Sequence, residues 1–190
     1  MAISFSQLQS DVAGCTQCGL HKTRTHTVFG EGNPRARLMF IGEGPGRDED
    51  LLGRPFVGAA GQLLDKMLAS IGFSRNDVYI ANVLKCRPPG NRDPEPDEAT
   101  ACLGYLRGQV SLIKPRIIVC LGRISAKYIL NADIRITRDR GVWHEVKGFF
   151  IMPTYHPAAL LRNEALKKDA WKDLLAIREK YDALCKGDNP

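Results

Sequence analysis

Cys15 and Cys18 form a CxxC pair, and Cys86 and Cys102 follow well apart from it; thiolates of this kind bind soft metals such as zinc or the iron of iron-sulfur clusters. Between the pair and Cys86 runs LMFIGEGPG and then RPFVGAAGQLL, where glycines in a turn let backbone amides approach a ligand closely. A metal site and a ligand pocket thus share one small chain. Glu43, Asn82, Arg123 and His156 complete the set of side chains able to do chemistry, a carboxylate, an amide, a guanidinium and an imidazole. Taken singly, each is an ordinary solvated charge, turn cap or surface histidine. Their meaning depends on whether the chain brings them together.

The elements that would do so follow from apolar runs and their breakers. Phe5 to Ala13 reads as a short helix leading into the first cysteine pair, and Arg37 to Ile41 as a strand ended by Gly42-Glu43-Gly44-Pro45-Gly46. Leu63, Leu64, Met67, Leu68 and Ile71 have helical spacing, giving a helix over Gly61 to Ile71 closed by Gly72. Val78 to Leu84 is the next strand. Pro88 to Pro96 is irregular, and Asp97 to Ile113 is a helix that carries Cys102 and stops before Pro115. Ile117 to Leu121 is a third strand, followed by a helix from about Ser125 to Leu130. Trp143 to Val146 and Phe149 to Pro153, split by Lys147-Gly148, read as a hairpin delivering Thr154-Tyr155-His156-Pro157. Ala165 to Leu184 is an amphipathic helix.

This alternation predicts a single α/β domain with a mostly parallel four-stranded sheet and helices on both faces. Ligands of such sheets bind beyond the carboxyl ends of the strands. Glu43, Asn82, Arg123 and His156 all fall at or just past those ends, so the joint reading is one crevice.

A length of 190 residues, 44% of them hydrophobic and 25% charged, suits one domain with a real core. No apolar run approaches the roughly 20 residues that span a bilayer, and MAISFSQLQSDVAG lacks the basic and apolar regions of a signal peptide. The expectation is a soluble, cytoplasmic protein, in which six cysteines serve better as metal ligands or buried thiols than as disulfides. Cys120, inside an apolar strand, reads as a buried thiol, whereas Cys185 in the tail matches no pattern. The formal charge of +6 is consistent with a polyanionic partner without identifying one.

The runs GEGPGRDEDLLGRPFVGAAGQLL, NVLKCRPPGNRDP and HPAALLR, in this order, closely resemble the family 4 uracil-DNA glycosylases, the iron-sulfur branch of that superfamily. The resemblance extends from the first cysteine pair to about Arg162. It implies a 4Fe-4S cluster on Cys15, Cys18, Cys86 and Cys102, and excision of uracil from single- or double-stranded DNA by a monomeric prokaryotic enzyme. Zinc satisfies the same ligand types, but the single CxxC argues against a compact zinc ribbon.

The chemistry asked of the pocket can be stated in its own terms. A base must leave the duplex stack to be reached, and Phe56 would stack on the extruded ring. Asn82 can pair with uracil O4 and N3–H, whereas cytosine presents the opposite donor and acceptor pattern. A hydrophobic wall rejects the extra methyl of thymine by only ~1–3 kcal/mol; the resemblance puts Glu49, in an acidic loop, on the C5 side of the base. His156 would hydrogen-bond uracil O2 and stabilise the leaving anion, Glu43 would orient or deprotonate the attacking water, and the amides of Gly42 and Gly44 are further donors. For DNA, the resemblance sets the HPAALLR loop against the strand, with Leu160 or Leu161 as wedge and Arg162 near phosphate. Arg87 and Arg92 beside Cys86 are further candidate phosphate contacts. Ala158 stands where the family often has Ser, so one hydroxyl that could reach phosphate is missing, which predicts slightly weaker DNA contact and unchanged chemistry. A related branch binds uracil-site DNA covalently through a histidine in an Arg-rich insertion; CRPPGNRDP, the corresponding stretch, has none. A DNA-binding scaffold without turnover is the reading least compatible with a complete pocket set.

Overall fold

The computed structural model describes residues 4–185. In chain order the elements are α1 (Phe5–Ala13), β1 (Glu31–Gly32), β2 (Leu38–Gly42), α2 (Arg47–Leu52), α3 (Ala59–Ser70), β3 (Tyr79–Asn82), α4 (Pro96–Ile113) and β4 (Ile117–Leu121). They continue with α5 (Arg123–Ile129), α6 (Ile136–Asp139), β5 (His144–Val146), β6 (Phe149–Thr154), α7 (Pro157–Arg162) and α8 (Lys167–Cys185).

The strands form one sheet in the order β1-β3-β2-β4-β6-β5. Its four central strands are parallel, β3 with β2, β2 with β4 and β4 with β6. Two short antiparallel strands close the edges, β1 on β3 and β5 on β6. The four-stranded expectation is therefore corrected to a mixed sheet of six strands. β5 is the first arm of the expected hairpin, turning through Lys147 and Gly148 at φ of 52° and 82°, the left-handed pair that a tight two-residue hairpin needs. β1 has two residues and no alternation, so nothing in its sequence announces it; it exists because β3 offers it an open edge.

Alternate residues of the central strands serve opposite faces. Leu38 and Phe40 of β2, with Ile117 and Val119 of β4, pack on Leu64 and Leu68 of α3 and Leu174 and Ile177 of α8. Met39 and Ile41, with Ile118 and Cys120, pack on Leu106 and Ile113 of α4 and Ala126 of α5. Both faces are covered, which is why these strands read as continuous apolar runs. Cys120 is fully buried, as expected, and burial pushes its thiol pKa up. Ser4 caps α1 by accepting the Gln7 amide, and Leu8 and Val12 one turn apart seat the helix in a side cluster with Phe29.

Two further corrections concern the site. The acidic stretch holding Glu49 is not a loop but α2, closed by Gly53 at φ 68°. HPAALLR is likewise a helix, α7, with His156 as its N-cap and Pro157 in its first turn. Each spans six residues, too few for a helical period to declare itself. No helix among the described residues is long and apolar enough to cross a membrane.

Candidate active site

The chain leaves β2 for α2 on one side of the sheet, and the crossover from β3 to β4 returns it to the other side of β2. That reversal opens a crevice at the carboxyl ends of the strands. A cavity of about 660 Å³ lies there, and Glu43, Glu49, Phe56, Asn82, Arg123 and His156 all line it. The convergence expected from strand-end position is thus what the fold produces.

Gly42 ends β2 and is buried, one residue before the cavity-lining Glu43. A Cβ on it would stand 2.4 Å from Asn82 Oδ1 and 2.6 Å from Phe56 Cζ, so only glycine lets both side chains close over that point. The following turn is pinned to the exit of β3, since Val83 N–H donates to Gly42 O (3.0 Å) and Leu84 N–H to Glu43 O (2.9 Å). Gly44 lines the cavity beside them.

Asn82, the last residue of β3, is 2% exposed, and its Oδ1 has no hydrogen-bond partner. A buried polar atom without a protein partner costs about 1–3 kcal/mol, and in a cavity wall it is available to pair with a ligand. From behind, buried Lys85 donates to the Asn82 carbonyl (2.9 Å) and to Gln109 Oε1 (2.7 Å), which fixes the strand end.

Glu43 is half-buried in the turn, and its carboxyl pKa is raised to about 7. Burial is the main cause; the negative charge of Asp93 adds to it and the positive charge of Arg123 opposes it. Asp93 and Arg123 pair with each other at the cavity.

His156 follows β6 as the cap of α7. Its Nδ1 accepts the Ala158 amide (3.1 Å), which leaves the ring proton on Nε2. Burial above all, with the charge of Arg162 in support and that of Glu49 opposing, lowers its pKa to about 4. The ring is therefore neutral near pH 7 and presents one N–H. Gly122 makes room for it, since a Cβ there would come within 2.9 Å of His156 Cβ. The Phe56 ring is stacked on the imidazole, centroids 5.6 Å apart and planes 30° from parallel.

Glu49 reaches back from α2 with both oxygens engaged. Oε1 accepts the amides of Val57 and Gly58 (2.9 Å each), and Oε2 accepts that of Gly46 (3.1 Å). It is a wall of the cavity and also a brace for the segment that carries Phe56.

Sequence reasoning missed the support of His156. Thr154, two residues before it, donates from Oγ1 to Asp173 Oδ2 of α8 (2.6 Å), and Arg140 forks onto the same carboxylate. Asp173 is 2% exposed. In the sequence it is one acid among several in an amphipathic helix, and no local signal distinguishes it.

The candidate DNA contacts divide. Arg162 lines the cavity, and Leu161 is 48% exposed beside it on α7. Leu160 is 2% exposed and belongs to the core, so of the two leucines only Leu161 is available as a wedge. Arg92 forks onto Glu98 at 2.8 and 2.7 Å, and Arg87 donates to Asn91 Oδ1 at 2.7 Å; both are held by neighbours rather than fully free.

In a second, separate cavity, Cys15, Cys18, Cys86 and Cys102 stand together with Arg24 and Tyr105. All four are free thiols, and among the described residues they are not drawn into a closed metal-binding group. The donor set nevertheless fits a thiolate-bound metal group: four sulfurs from three separate segments face one space, and Arg24 donates to Cys86 Sγ at 3.2 Å. As thiols, Cys86 and Cys102 are held above their ordinary pKa by burial, Cys102 at about 11. Arg24 at Cys86 and Lys85 at Cys102 oppose that burial without overcoming it, and a metal cation in the same space would favour the ionised forms further.

Residues 29–175 match the uracil DNA glycosylase superfamily. A type-4 uracil-DNA glycosylase of Archaeoglobus fulgidus is 49% identical over 184 residues, 93% of this chain and 92% of the relative. One of Sulfurisphaera tokodaii is 50% identical over 185 residues, covering 93% and 84%. Similarity to type-5 members is lower, 32% over 146 residues for that of Pyrobaculum aerophilum. With its strand-end pocket and its four-cysteine cavity, the chain belongs to the type-4 family of the uracil-DNA glycosylase superfamily.

Proposed function

We propose that this protein is a uracil-DNA glycosylase of base excision repair, which takes uracil out of DNA and hydrolyses its N-glycosidic bond to leave an abasic site. The observation that carries the reading is the orphaned Asn82 Oδ1 in the cavity wall, between a neutral imidazole with one N–H and a carboxyl of raised pKa. Asn82 Oδ1 would accept uracil N3–H while Nδ2 donates to O4. Cytosine would set donor against donor and acceptor against acceptor there. Phe56 would stack on the flipped ring, and Glu49 would wall the C5 side against thymine.

Scission sends the C1′–N1 electron pair into the uracil ring and leaves an oxocarbenium-like sugar. His156 Nε2–H donates to O2, where the negative charge gathers, and need not transfer its proton to do so. Glu43 in its ionised form favours the sugar cation and takes the proton of the water that adds to C1′. Its pKa near neutrality suits that task, since such a base can be ionised at pH 7 and still bind a proton. Leu161 would fill the space the base leaves, and Arg162 would hold phosphate. The substrate in this reading is uracil-containing DNA, single- or double-stranded, with the protein acting as a cytoplasmic monomer.

Excision on oligonucleotides carrying one U or one T, followed by alkali, tests the reading. Cleavage is expected only at U, and reduced about 100-fold or more in Asn82→Ala. No cleavage by metal-loaded wild type would refute turnover.

The four-thiol cavity is read as the seat of a 4Fe-4S cluster, which would tie the N-terminal segment to the exit of β3 and to α4. Anaerobically purified protein is expected to hold about four irons and four acid-labile sulfides per chain. Cys102→Ser should lose the visible absorption and melt at lower temperature. Zinc in place of iron would overturn the assignment.

A further inference from the structure

Phe56 sits at φ 53°, the left-handed region that favours glycine, and it does so inside the cavity where its ring must lie flat against the base. The chain around it is held on both sides. Glu49 takes the amides of the two residues that follow, Val57 and Gly58. Arg75, in the turn before β3, takes the carbonyls: its guanidinium donates to Pro55 O at 2.9 Å and to Phe56 O. The first turn of α3 presses on the same carbonyl, because a Cβ on Gly61 would lie 1.7 Å from Phe56 O.

Arg75 is itself fixed from several directions. Its Nε donates to Asp65 Oδ1 at 2.6 Å, and Glu31 of β1 stands 3.5 Å from Nη1 while forking onto Arg54. Ser74 donates from both its amide and its hydroxyl to Asp77 Oδ2, which sets the turn. A planar fork with several donors suits two adjacent carbonyls in a way that a lysine ammonium does not.

We propose that Arg75 is a positioning residue for uracil excision: with Glu49 it clamps the Phe56 backbone in its left-handed conformation, so that the aromatic ring is already in place when the base enters. The inference rests on the uracil-excising reading of the site. It assigns Arg75 no contact with DNA or base, and its effect passes through the Phe56 ring alone.

The test is a double-variant cycle in single-turnover excision of uracil. Arg75→Gln should lower the maximal rate roughly 10-fold, as misplacement of a positioning group does, with KM within about twofold. In a Phe56→Ala background the same substitution should change the rate by less than about twofold, because the group it positions is gone. Losses that multiply in the double variant, or an Arg75→Gln rate equal to wild type, would overturn the clamp. Should Arg75→Gln not fold, Asp65→Ala removes the carboxylate that orients the guanidinium and takes its place in the cycle with a smaller effect. Hydrogen exchange reads the clamp without substrate: the Val57 and Gly58 amides should exchange about tenfold faster in Arg75→Gln, and faster by a smaller factor in Asp65→Ala, while β2 and β4 keep wild-type protection. Unchanged exchange at those amides refutes the clamp, whereas a wild type that excises nothing refutes only the activity on which its purpose rests.

Discussion

Glu43→Gln is expected to lower single-turnover excision of uracil by about 10²- to 10⁴-fold and to abolish the pH dependence of what remains. The direction follows from the charge the site must supply. In the proposed mechanism ionised Glu43 is the active form, and burial together with Asp93 raises its pKa to about 7. Wild-type rate should therefore rise as pH increases through about 7 and level off above it, each unit below the midpoint costing about tenfold. His156 loses its proton at about 4, so it is neutral across this range and adds no second limb. Glutamine keeps the size and one acceptor oxygen, replaces the other with an NH2 donor, and offers neither the charge nor a place for the proton. A Glu43→Gln enzyme within tenfold of wild type would remove Glu43 from the reaction, whereas a wild-type profile flat between pH 5.5 and 8.5 would show that its carboxyl does not titrate near 7.

His156→Ala should cost about 10²- to 10³-fold in the same assay, the usual consequence of deleting one preorganised donor to a developing anion, or about 2.7–4 kcal/mol. Two smaller structural effects accompany it. The variant loses the acceptor of the Ala158 amide, a helix cap worth about 1 kcal/mol, and the face on which Phe56 rests. Thermal melting separates these from chemistry, since a cap alone moves the transition by a few degrees. A donor placed by another side chain should restore part of the rate, so His156→Gln is expected to lie between alanine and wild type. Equal rates for glutamine and alanine would argue that the imidazole acts by packing and not by its N–H.

Much of this arrangement was legible before any fold was built. The four central strands are short apolar runs ended by glycine or a polar residue, and burial on both faces leaves that signature in any sequence. Once the sheet is parallel, chain direction alone puts Glu43, Asn82, Arg123 and His156 at one end of it, so the pocket could be named from position. α1, α3, α4 and α8 are long enough for their apolar period to show, and their ends carry ordinary stops such as Gly72 at φ 77°.

Other features have no local cause. α2 and α7 are single short helices held by what surrounds them, Glu49 capping the first and His156 the second. Leu160 and Leu161 are chemically identical neighbours, and only the packing of α7 on the core makes one buried and the other exposed. β1 forms because β3 has a free edge.

What the sequence by itself determined is the identity and chain order of the groups that do chemistry, because residue type and strand direction are local properties. Tertiary structure alone decided how those groups are held: Asp173 under Thr154 and Arg75 on the Phe56 carbonyl join different elements, and Glu49 reaches from α2 past the chain turn to the amides after Phe56. Each such pairing depends on distances that close only when helices dock on the sheet, and no periodicity or motif along the chain encodes those distances.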